Sequence, residues 1–372
     1  MDKHRLAFLK AVREGPLAQV EQLFGLYGLD DCEGYPNGSF YLAEALLHKQ
    51  PEVARFLLGR GVGIDHSGEL CSLRQLPFHL ACIRNYKDVV ERLIERSTDI
   101  NKLDCEGRSA LYHTSDTEIV RILLQNGALT SIRDKTNHSP LYCLLTKLSA
   151  SKSDALELLK IFADHGAEFD SSEQYKLLDY LSSRCVDAEV YRRVLDFGVS
   201  VKAKSSSGDT VLHQAIRVGA IDKAKILLDY GADVNVCDII GQSCLHLAVA
   251  KYGQVSVHSS AYCQYEFVEH ILRSNLVNDI NLRDSSVGTA LHYAIRDKCW
   301  HMVRLLLEHN ADPNMIDHCG GFPLQLAAHS GNSDIVIILL NQGADIFAPR
   351  RNGRLALNEI WHLPKVVSHM GV

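Results

Sequence analysis

The 372-residue sequence lacks the long apolar runs and the short catalytic motifs from which many functions are read directly. No stretch approaches about 18 uninterrupted apolar residues, so we expect no membrane insertion. Met1 to Leu6 lack the apolar region of a signal peptide. P-loop, His-Glu-x-x-His and Gly-x-Ser-x-Gly motifs are missing. The glycine-rich segment Gly59 to Gly63 follows a predicted helix, whereas the glycines of a dinucleotide-binding site follow a strand. The sequence therefore predicts no catalytic residues and no enzyme.

Paired cysteines and an excess of positive charge are missing as well. None of the 11 cysteines forms a Cys-x-x-Cys pair, and Cys237, Cys244 and His246 fall on different parts of one predicted unit. Because structural zinc sites need short pairs that converge, we expect no metal and no cofactor. The odd, irregularly spaced cysteines favour free thiols and hence a cytoplasmic or nuclear location. A formal net charge of −6 and a pI near 6.3 argue against nucleic acid as a partner.

The sequence does contain one pattern that recurs about every 33 residues. It is tracked by one apolar anchor residue in each copy, and several successive anchors lie 33 residues apart, as Leu212 and Leu245 do. The anchors are Phe8, Leu42, Phe78, Leu111, Leu141, Leu178, Leu212, Leu245, Leu291, Leu324 and Leu357. Such a period is typical of stacked repeats rather than of a globule with a catalytic pocket.

Each copy contains the signals of two short helices and a polar loop. A small residue such as Ala215 follows the anchor by three positions, so the first helix can approach its neighbour closely. An apolar pair such as Leu227-Leu228 then marks the buried stripe of a second helix. Gly231 stands where that helix would end in a left-handed residue, and a hairpin-like stretch, Asp238 to Gly241, follows. The pattern predicts turn, helix, tight turn, helix and loop.

The pattern resembles the Thr-Pro-Leu-His-x-Ala motif of the ankyrin repeat family. The matching segments are Thr210 to Ala215, Ser243 to Ala248, Thr289 to Ala294, and Phe322 to Ala327 with Gln325 in place of His. The resemblance implies an all-α solenoid of stacked helix pairs with projecting β-hairpin loops, with about nine to eleven repeats in a single array over residues 1–372. Residues 1–32 and 347–372 would form the N- and C-terminal caps of the array. Residues 33–111 would contain the first repeats, and residues 202–346 match the motif best.

Departures from the motif cluster between residues 112 and 201. The next anchor after Leu111 is only 30 residues away, so the first helix of that repeat is predicted to be short, and the hairpin before Leu178 is largely deleted. Because poor units weaken a repeat array locally, we predict a weak joint at about residues 112–186. Two inserted loops are expected, one near residues 149–154 and one at residues 254–265. The second contains Tyr262, Cys263 and Tyr265, whose side chains either pack on adjacent helices or contact a partner.

The resemblance implies a non-enzymatic, monomeric scaffold or regulator that binds an unidentified partner protein on its concave hairpin and helix face. The candidate contact residues are Ile239, Ile240, Gln242, Arg217, Val218, Ser206, Asp209, Arg296, Trp300, His318, His329, Arg350, Arg351 and Arg354. Ile239 and Ile240 rank first, because aliphatic side chains at a turn tip leave apolar surface in water. The alternatives are that Ile240 and Trp300 pack internally and that the three C-terminal arginines form a solvated cap.

Two further expectations rest on the resemblance alone. An alternative role is substrate recognition for a ubiquitin ligase, but we expect residues 358–372 to be too short for a complete ligase-docking box. Ankyrin arrays are also substrates of an intracellular asparaginyl hydroxylase, and Asn235 occupies the favoured position, with Asn101, Asn281 and Asn314 in the same place in other repeats. The alternative is that this Asn bonds the hairpin backbone.

Overall fold

The computed structural model describes residues 3–27, 38–64, 76–147, 152–184, 186–205, 207–252, 258–349 and 355–369. Over these ranges the chain is helical, and two isolated antiparallel bridges, Lys204 with Thr210 and Pro349 with Leu355, are its only extended pairings. The helices are short: within the same ranges none combines the length and the apolar character that a bilayer crossing requires. The chain divides into two compact units, Met1–Glu173 and Gln174–Val372.

The described part of the N-terminal unit consists of helix pairs and a 3₁₀ turn. Its elements are α1 (Lys3–Glu14), α2 (Leu17–Tyr27), α3 (Ser39–Leu47), α4 (Pro51–Gly59), α5 (Pro77–Ile83), α6 (Lys87–Glu95), the 3₁₀ turn (Ala110–Tyr112), α7 (Thr117–Gln125), α8 (Pro140–Lys147) and α9 (Lys152–Asp164).

The C-terminal unit continues the pattern, beginning within the first turn of the next helix. Its elements are α10 (Ser171–Ser183), α11 (Ala188–Asp196), α12 (Val211–Arg217), α13 (Ile221–Asp229), α14 (Cys244–Tyr252), α15 (His258–Arg273), α16 (Ala290–Arg296), α17 (Trp300–Glu308), α18 (Pro323–His329), α19 (Ser333–Asn341), α20 (Ala356–Ile360) and α21 (Pro364–His369).

The repeat pattern predicted the helices because it marks their buried positions. Each anchor residue lies in the first helix of a pair or in the 3₁₀ turn, and all but Leu357 are buried. The small residues Ala215, Ala248 and Ala294 are fully buried, as close packing between neighbouring first helices requires. In the second helices the first member of the apolar pair, such as Leu227 or Leu306, is fully buried. The all-α solenoid is thus confirmed.

The loops between pairs are closed by a recurring aspartate. Asp238 donates its N–H to the carbonyl oxygen of Gln242 at 3.0 Å and accepts the N–H groups of Ile240 and Gln242 on Oδ1 at 3.0 and 2.9 Å. Gly241 has φ of 80°, a left-handed conformation that glycine adopts without strain. Asp104, Asp134 and Asp284 close their loops in the same way. These bonds give each loop a fixed shape before any partner arrives.

The degenerate segment departs from the repeat as predicted in two places. The first helix of the third repeat is reduced to the 3₁₀ turn, and only residues 165–170 connect α9 to α10, so no hairpin is present there. The buried Lys223 amine of α13 donates to the carbonyl oxygens of Leu181 and Arg184 at the end of α10. The division between the two units falls inside residues 112–186, where the weak joint stays a prediction.

The two insertions contain more helix than their polar sequences indicate. Residues 258–265, assigned to the second inserted loop, form the first turns of α15, which has 16 residues where most second helices have 9. In the first insertion, α9 begins at Lys152. Residues 148–151 and 253–257 lie outside the described residues, as do the side chains of Tyr262 and Cys263. Phe267 is fully buried, so this ring packs internally.

Candidate functional site

Two of the motif histidines, His213 and His246, are structural groups that join neighbouring repeats. His213 Nδ1 accepts the backbone N–H of Thr210 at 3.2 Å, and its Nε2 lies 3.3 Å from the carbonyl oxygen of Gln242 in the following hairpin. An N–H can only donate and a carbonyl can only accept, so the ring is neutral and carries its proton on Nε2. Burial lowers the pKa of His213 below its usual value, which agrees with the neutral form.

Two other residue types take over this role. Gln325 accepts the N–H of Phe322 on Oε1 at 3.3 Å and donates from Nε2 to the carbonyl oxygen of Ala348 at 2.8 Å. Tyr112 places its hydroxyl 2.7 Å from the carbonyl oxygen of Ile132 and 2.6 Å from that of His138. Sequence reasoning did not assign a role to Tyr112, although it follows the anchor Leu111 directly, where the motif has its His.

The hairpin formed by residues 238–242, here called the isoleucine finger, carries the two favoured contact residues. Besides the bonds of Asp238 that close it, the Ile239 N–H donates to the carbonyl oxygen of Ser207 in the preceding hairpin at 3.3 Å. The carbonyl oxygen of Ile240 accepts the N–H of Ser285 in the next hairpin at 2.9 Å. The finger is therefore hydrogen-bonded to both neighbours and held in one position.

Side chains at the base of the finger add to this rigidity. Gln242 Nε2 donates to the Tyr293 hydroxyl at 2.6 Å and to Asp284 Oδ2 at 3.1 Å. Burial opposes ionisation of Asp284, but hydrogen bonds from Ser286, Tyr293 and the backbone outweigh it and hold the pKa of Asp284 below its ordinary value. Gln242, predicted to contact a partner, is thus engaged within the chain.

Arg217 and Asp209 are engaged in the same way. The Arg217 guanidinium donates to Asp238 Oδ2 at 2.8 Å and to Asp209 Oδ2 at 3.3 Å. It thereby links α12 to the two successive hairpins, while its predicted contact with a partner stays a prediction.

Three aliphatic side chains, two on the finger and one just after α12, are exposed. Ile239 is 77% exposed, Ile240 is 40% exposed, and Val218 at the end of α12 is 44% exposed. We call Ile239, Ile240 and Val218 the aliphatic patch. Exposed aliphatic groups on a rigid support are suited to contact another protein, because ordering them costs little further entropy.

Four of the other predicted contact residues belong to later helices and hairpins. Arg296 lies over the Tyr293 ring, 4.9 Å from its centroid, and is exposed. Trp300 starts α17, is 42% exposed and stacks on His301. His318 is exposed at another hairpin tip, and His329 is exposed at the end of α18. The remaining four, Ser206, Arg350, Arg351 and Arg354, lie outside the described residues.

Asn235 bridges two repeats through its carboxamide. Its Nδ2 donates to the carbonyl oxygen of Leu276 at 2.9 Å, and its Oδ1 accepts the N–H of Asn278 at 2.8 Å. Asn314 forms the equivalent pair with Gly343 and Asp345. The bonding alternative raised from the sequence is therefore present, while hydroxylation of Asn235 stays a prediction.

The described residues hold no cluster suited to bind a metal ion. Within them no three His, Cys, Asp or Glu side chains converge as metal ligands would. Seven cysteines there are free thiols, and burial raises the pKa of Cys143 and Cys299 to about 11, which disfavours the nucleophilic thiolate.

Comparison with known proteins identifies the repeat. The family model described as "Ankyrin repeats (3 copies)" matches residues 42–134, 78–173, 148–259 and 257–350. Similar proteins include the ankyrin repeat protein FPV022 of Fowlpox virus (strain NVSL), which is 21% identical over 373 residues that cover 87% of this chain and 62% of that protein.

Two notch homologues match shorter segments. Neurogenic locus notch homolog protein 1 of Danio rerio is 37% identical over 139 residues, covering 37% of this chain and 5% of that protein. Neurogenic locus notch homolog protein 2 of Homo sapiens is 32% identical over 193 residues, covering 52% of this chain and 7% of that protein. The chain spans less than two thirds of the length of each of these three relatives.

Proposed function

Because the chain belongs to the ankyrin repeat family, whose repeats mediate protein–protein interaction, we propose that it is a non-enzymatic scaffold or regulator that binds a partner protein through the aliphatic patch. We place it in the cytosol or nucleus, where its free thiols stay reduced.

The observation that carries this proposal is the contrast between the isoleucine finger and its surroundings. Asp238, Gln242 and Arg217 are bonded within the chain, whereas Ile239 is 77% exposed at the tip. Burying a side chain of this size contributes about 1.5–3 kcal/mol, so two or three of them can supply the central part of an interface. The rigid hairpin keeps the entropic cost of binding low.

The proposal is tested by affinity purification from cells with mass spectrometry, using the native chain and the double variant Ile239→Lys/Ile240→Thr. This variant carries the tip residues of the 134–138 hairpin, Lys135 and Thr136, which close in the same way through Asp134. It should therefore fold, and circular dichroism checks that it does. We expect one or more partners to be recovered with the native chain and lost with the variant.

A matched control changes another exposed aliphatic residue. Leu129 is 52% exposed and occupies the repeat position that Asp233 occupies elsewhere, so Leu129→Asp should be tolerated. The proposal requires that this control retains the partners that the double variant loses. Equal recovery with all three chains would remove the aliphatic patch as the binding site, and recovery of cullin or elongin proteins would favour the ligase-adaptor role instead.

A further inference from the structure

One buried charged residue occupies a position that is apolar elsewhere in the array. Lys223 lies in α13, four residues before Leu227, and is only 8% exposed. In other second helices the residue four positions before the apolar pair is apolar and buried, as in Val53, Val89, Ile119, Val190, Phe267, Met302 and Ile335. A charged amine loses its hydration in such a place, so its burial is tolerated only where hydrogen bonds within the chain replace the water.

The acceptors for this amine lie at the end of α10. Lys223 Nζ donates to the carbonyl oxygens of Leu181, Arg184 and, at 3.4 Å, Ser182. Because α10 ends at Ser183, the carbonyls of its last turn have no N–H four residues further within the helix. A lysine ammonium carries three donors and is favoured at the negative end of a helix dipole. Its three donors therefore satisfy carbonyls that the helix itself leaves open.

Other repeats close the corresponding turn with main-chain groups. There the carbonyl oxygen three residues after the anchor accepts, at 2.8–3.3 Å, the N–H of the residue just before the second helix. These pairs are Ala45 with Gln50, Ala81 with Tyr86, Ala215 with Ala220, Ala294 with Cys299, and Ala327 with Asn332. In α10 the residue three positions after the anchor Leu178 is Leu181, and its carbonyl oxygen accepts the amine of Lys223 from the next repeat. A side chain of α13 thus closes the end of α10 at the point where these other first helices are closed by their own turns.

Tyr191 of α11 completes this junction. Its ring is fully buried, and Lys223 Nζ lies over it, 5.8 Å from its centroid, where a cation is attracted by the aromatic face. Ser182 Oγ donates to the carbonyl oxygen of Leu178 at 2.7 Å, so it accepts from the Tyr191 hydroxyl, 3.0 Å away. We propose that Lys223 is a conformational latch that holds the end of α10 and the turn after it against α11 and α13. Releasing the amine opens this segment locally, whether or not a partner is bound.

Lys223→Met tests the latch, because Met302 is the native residue at the same position of α17. Circular dichroism checks that the variant folds. We expect amide hydrogens of residues 179–184 to exchange about tenfold or more faster than in the native chain, because the last turn of α10 loses the bonds that close it. Those of α16 and α17 should keep their native rates within about twofold. Hydrogen exchange with mass spectrometry measures both in the full chain.

Ile335→Met makes the matched change at the same repeat position of α19. The turn before α19 is closed by main-chain bonds, from Asn332 to Ala327 and from Gly331 to Ala328, so exchange at the end of α18 should stay within about twofold of native. An acceleration there as large as that at the end of α10 would show that packing at this position governs the turn. That result would overturn the latch.

The native chain supplies a second test that needs no substitution. With an amine-acylating reagent, Lys223 should react at least about tenfold more slowly than Lys225, whose side chain on the same helix is 40% exposed. Equal reactivity of the two lysines would contradict the closed latch. So would exchange at residues 179–184 that Lys223→Met leaves unchanged or slows, or an acceleration spread equally over residues 174–372.

Discussion

At the scale of single residues, two motif histidines, His213 and His246, work as neutral two-ended connectors. In both, Nδ1 accepts from the start of its own helix, and Nε2 donates to the next hairpin. Gln325 reproduces this pair of bonds with an amide, which has an acceptor and a donor at comparable positions. The hydrogen-bonding geometry, rather than basicity, is what the repeat uses.

This role predicts opposite results for two substitutions at one position. His213→Gln should change the free energy of unfolding by less than about 1 kcal/mol, because Gln can accept and donate in the same directions. His213→Ala should cost about 2 kcal/mol, because it leaves the Thr210 N–H and the Gln242 carbonyl without this partner. Urea unfolding of both variants measures the difference, and equal destabilisation would show that the ring contributes only packing.

Five largely buried histidines predict acid sensitivity. Burial lowers the pKa of His79, His213, His246 and His292, and lowers that of His113 to about 4. In the unfolded chain these histidines have pKa values of about 6.5. Below that pH the unfolded state therefore binds more protons than the folded state does. Stability should therefore fall as pH drops from about 6.5 toward 4, by up to roughly 1.4 kcal/mol per pH unit for each histidine.

Urea midpoints measured between pH 7.5 and pH 4.5 test this expectation. His213→Gln supplies the control, because removing one of the titrating groups should make the decline shallower. A midpoint that stays constant down to pH 5 would contradict the neutral, buried state of these rings.

At the scale of elements, the tight turns between paired helices use a left-handed residue. Gly219 and Gly331 fill this position with φ of 78° and 71°, but Lys298 adopts it with φ of 58°. A left-handed conformation costs a residue with a side chain about 1–2 kcal/mol, and replacing that residue by glycine removes this cost. Part of the gain is lost, because glycine has a larger conformational entropy in the unfolded chain.

We therefore expect Lys298→Gly to stabilise the protein by about 0.5–1 kcal/mol. The reciprocal change, Gly219→Lys, should destabilise it by a similar amount, since the Cβ that it adds meets no atom within 4 Å and only the backbone conformation is altered. Chemical denaturation of the two variants gives both values. Destabilisation by Lys298→Gly would show that the lysine side chain makes a contribution larger than its backbone cost.

The helices could be predicted from the sequence because each repeat buries the same positions. Leu212, Ala215 and Leu227 are fully buried, and residues of their type at their spacing recur along the chain. Residues 258–265 have no counterpart in other repeats, so no period marked them as helix. The sequence gives no sign of the internal bonds of Arg217 and Gln242, because the groups that they bind lie 21 and 51 residues further along the chain, in Asp238 and Tyr293. Only the folded contacts reveal that pairing.

At the scale of the whole molecule, repeat arrays are stabilised unit by unit, so poor units lower stability locally. The third repeat has a single 3₁₀ turn in place of its first helix, and the connection at 165–170 carries no hairpin. We expect amide hydrogens in residues 112–186 to exchange faster than those in residues 205–345. Hydrogen exchange with mass spectrometry measures both, and slower exchange in residues 112–186 would remove the weak joint.

The most direct test of partner binding by the isoleucine finger is site-specific photocrosslinking in cells. A photoreactive amino acid is placed at position 239 in one chain and at position 129, also exposed in the native protein, in another. Partner binding through the aliphatic patch predicts a discrete crosslinked protein from position 239 and none of that mass from position 129. The absence of any adduct at position 239, or the same adducts from both positions, would contradict it.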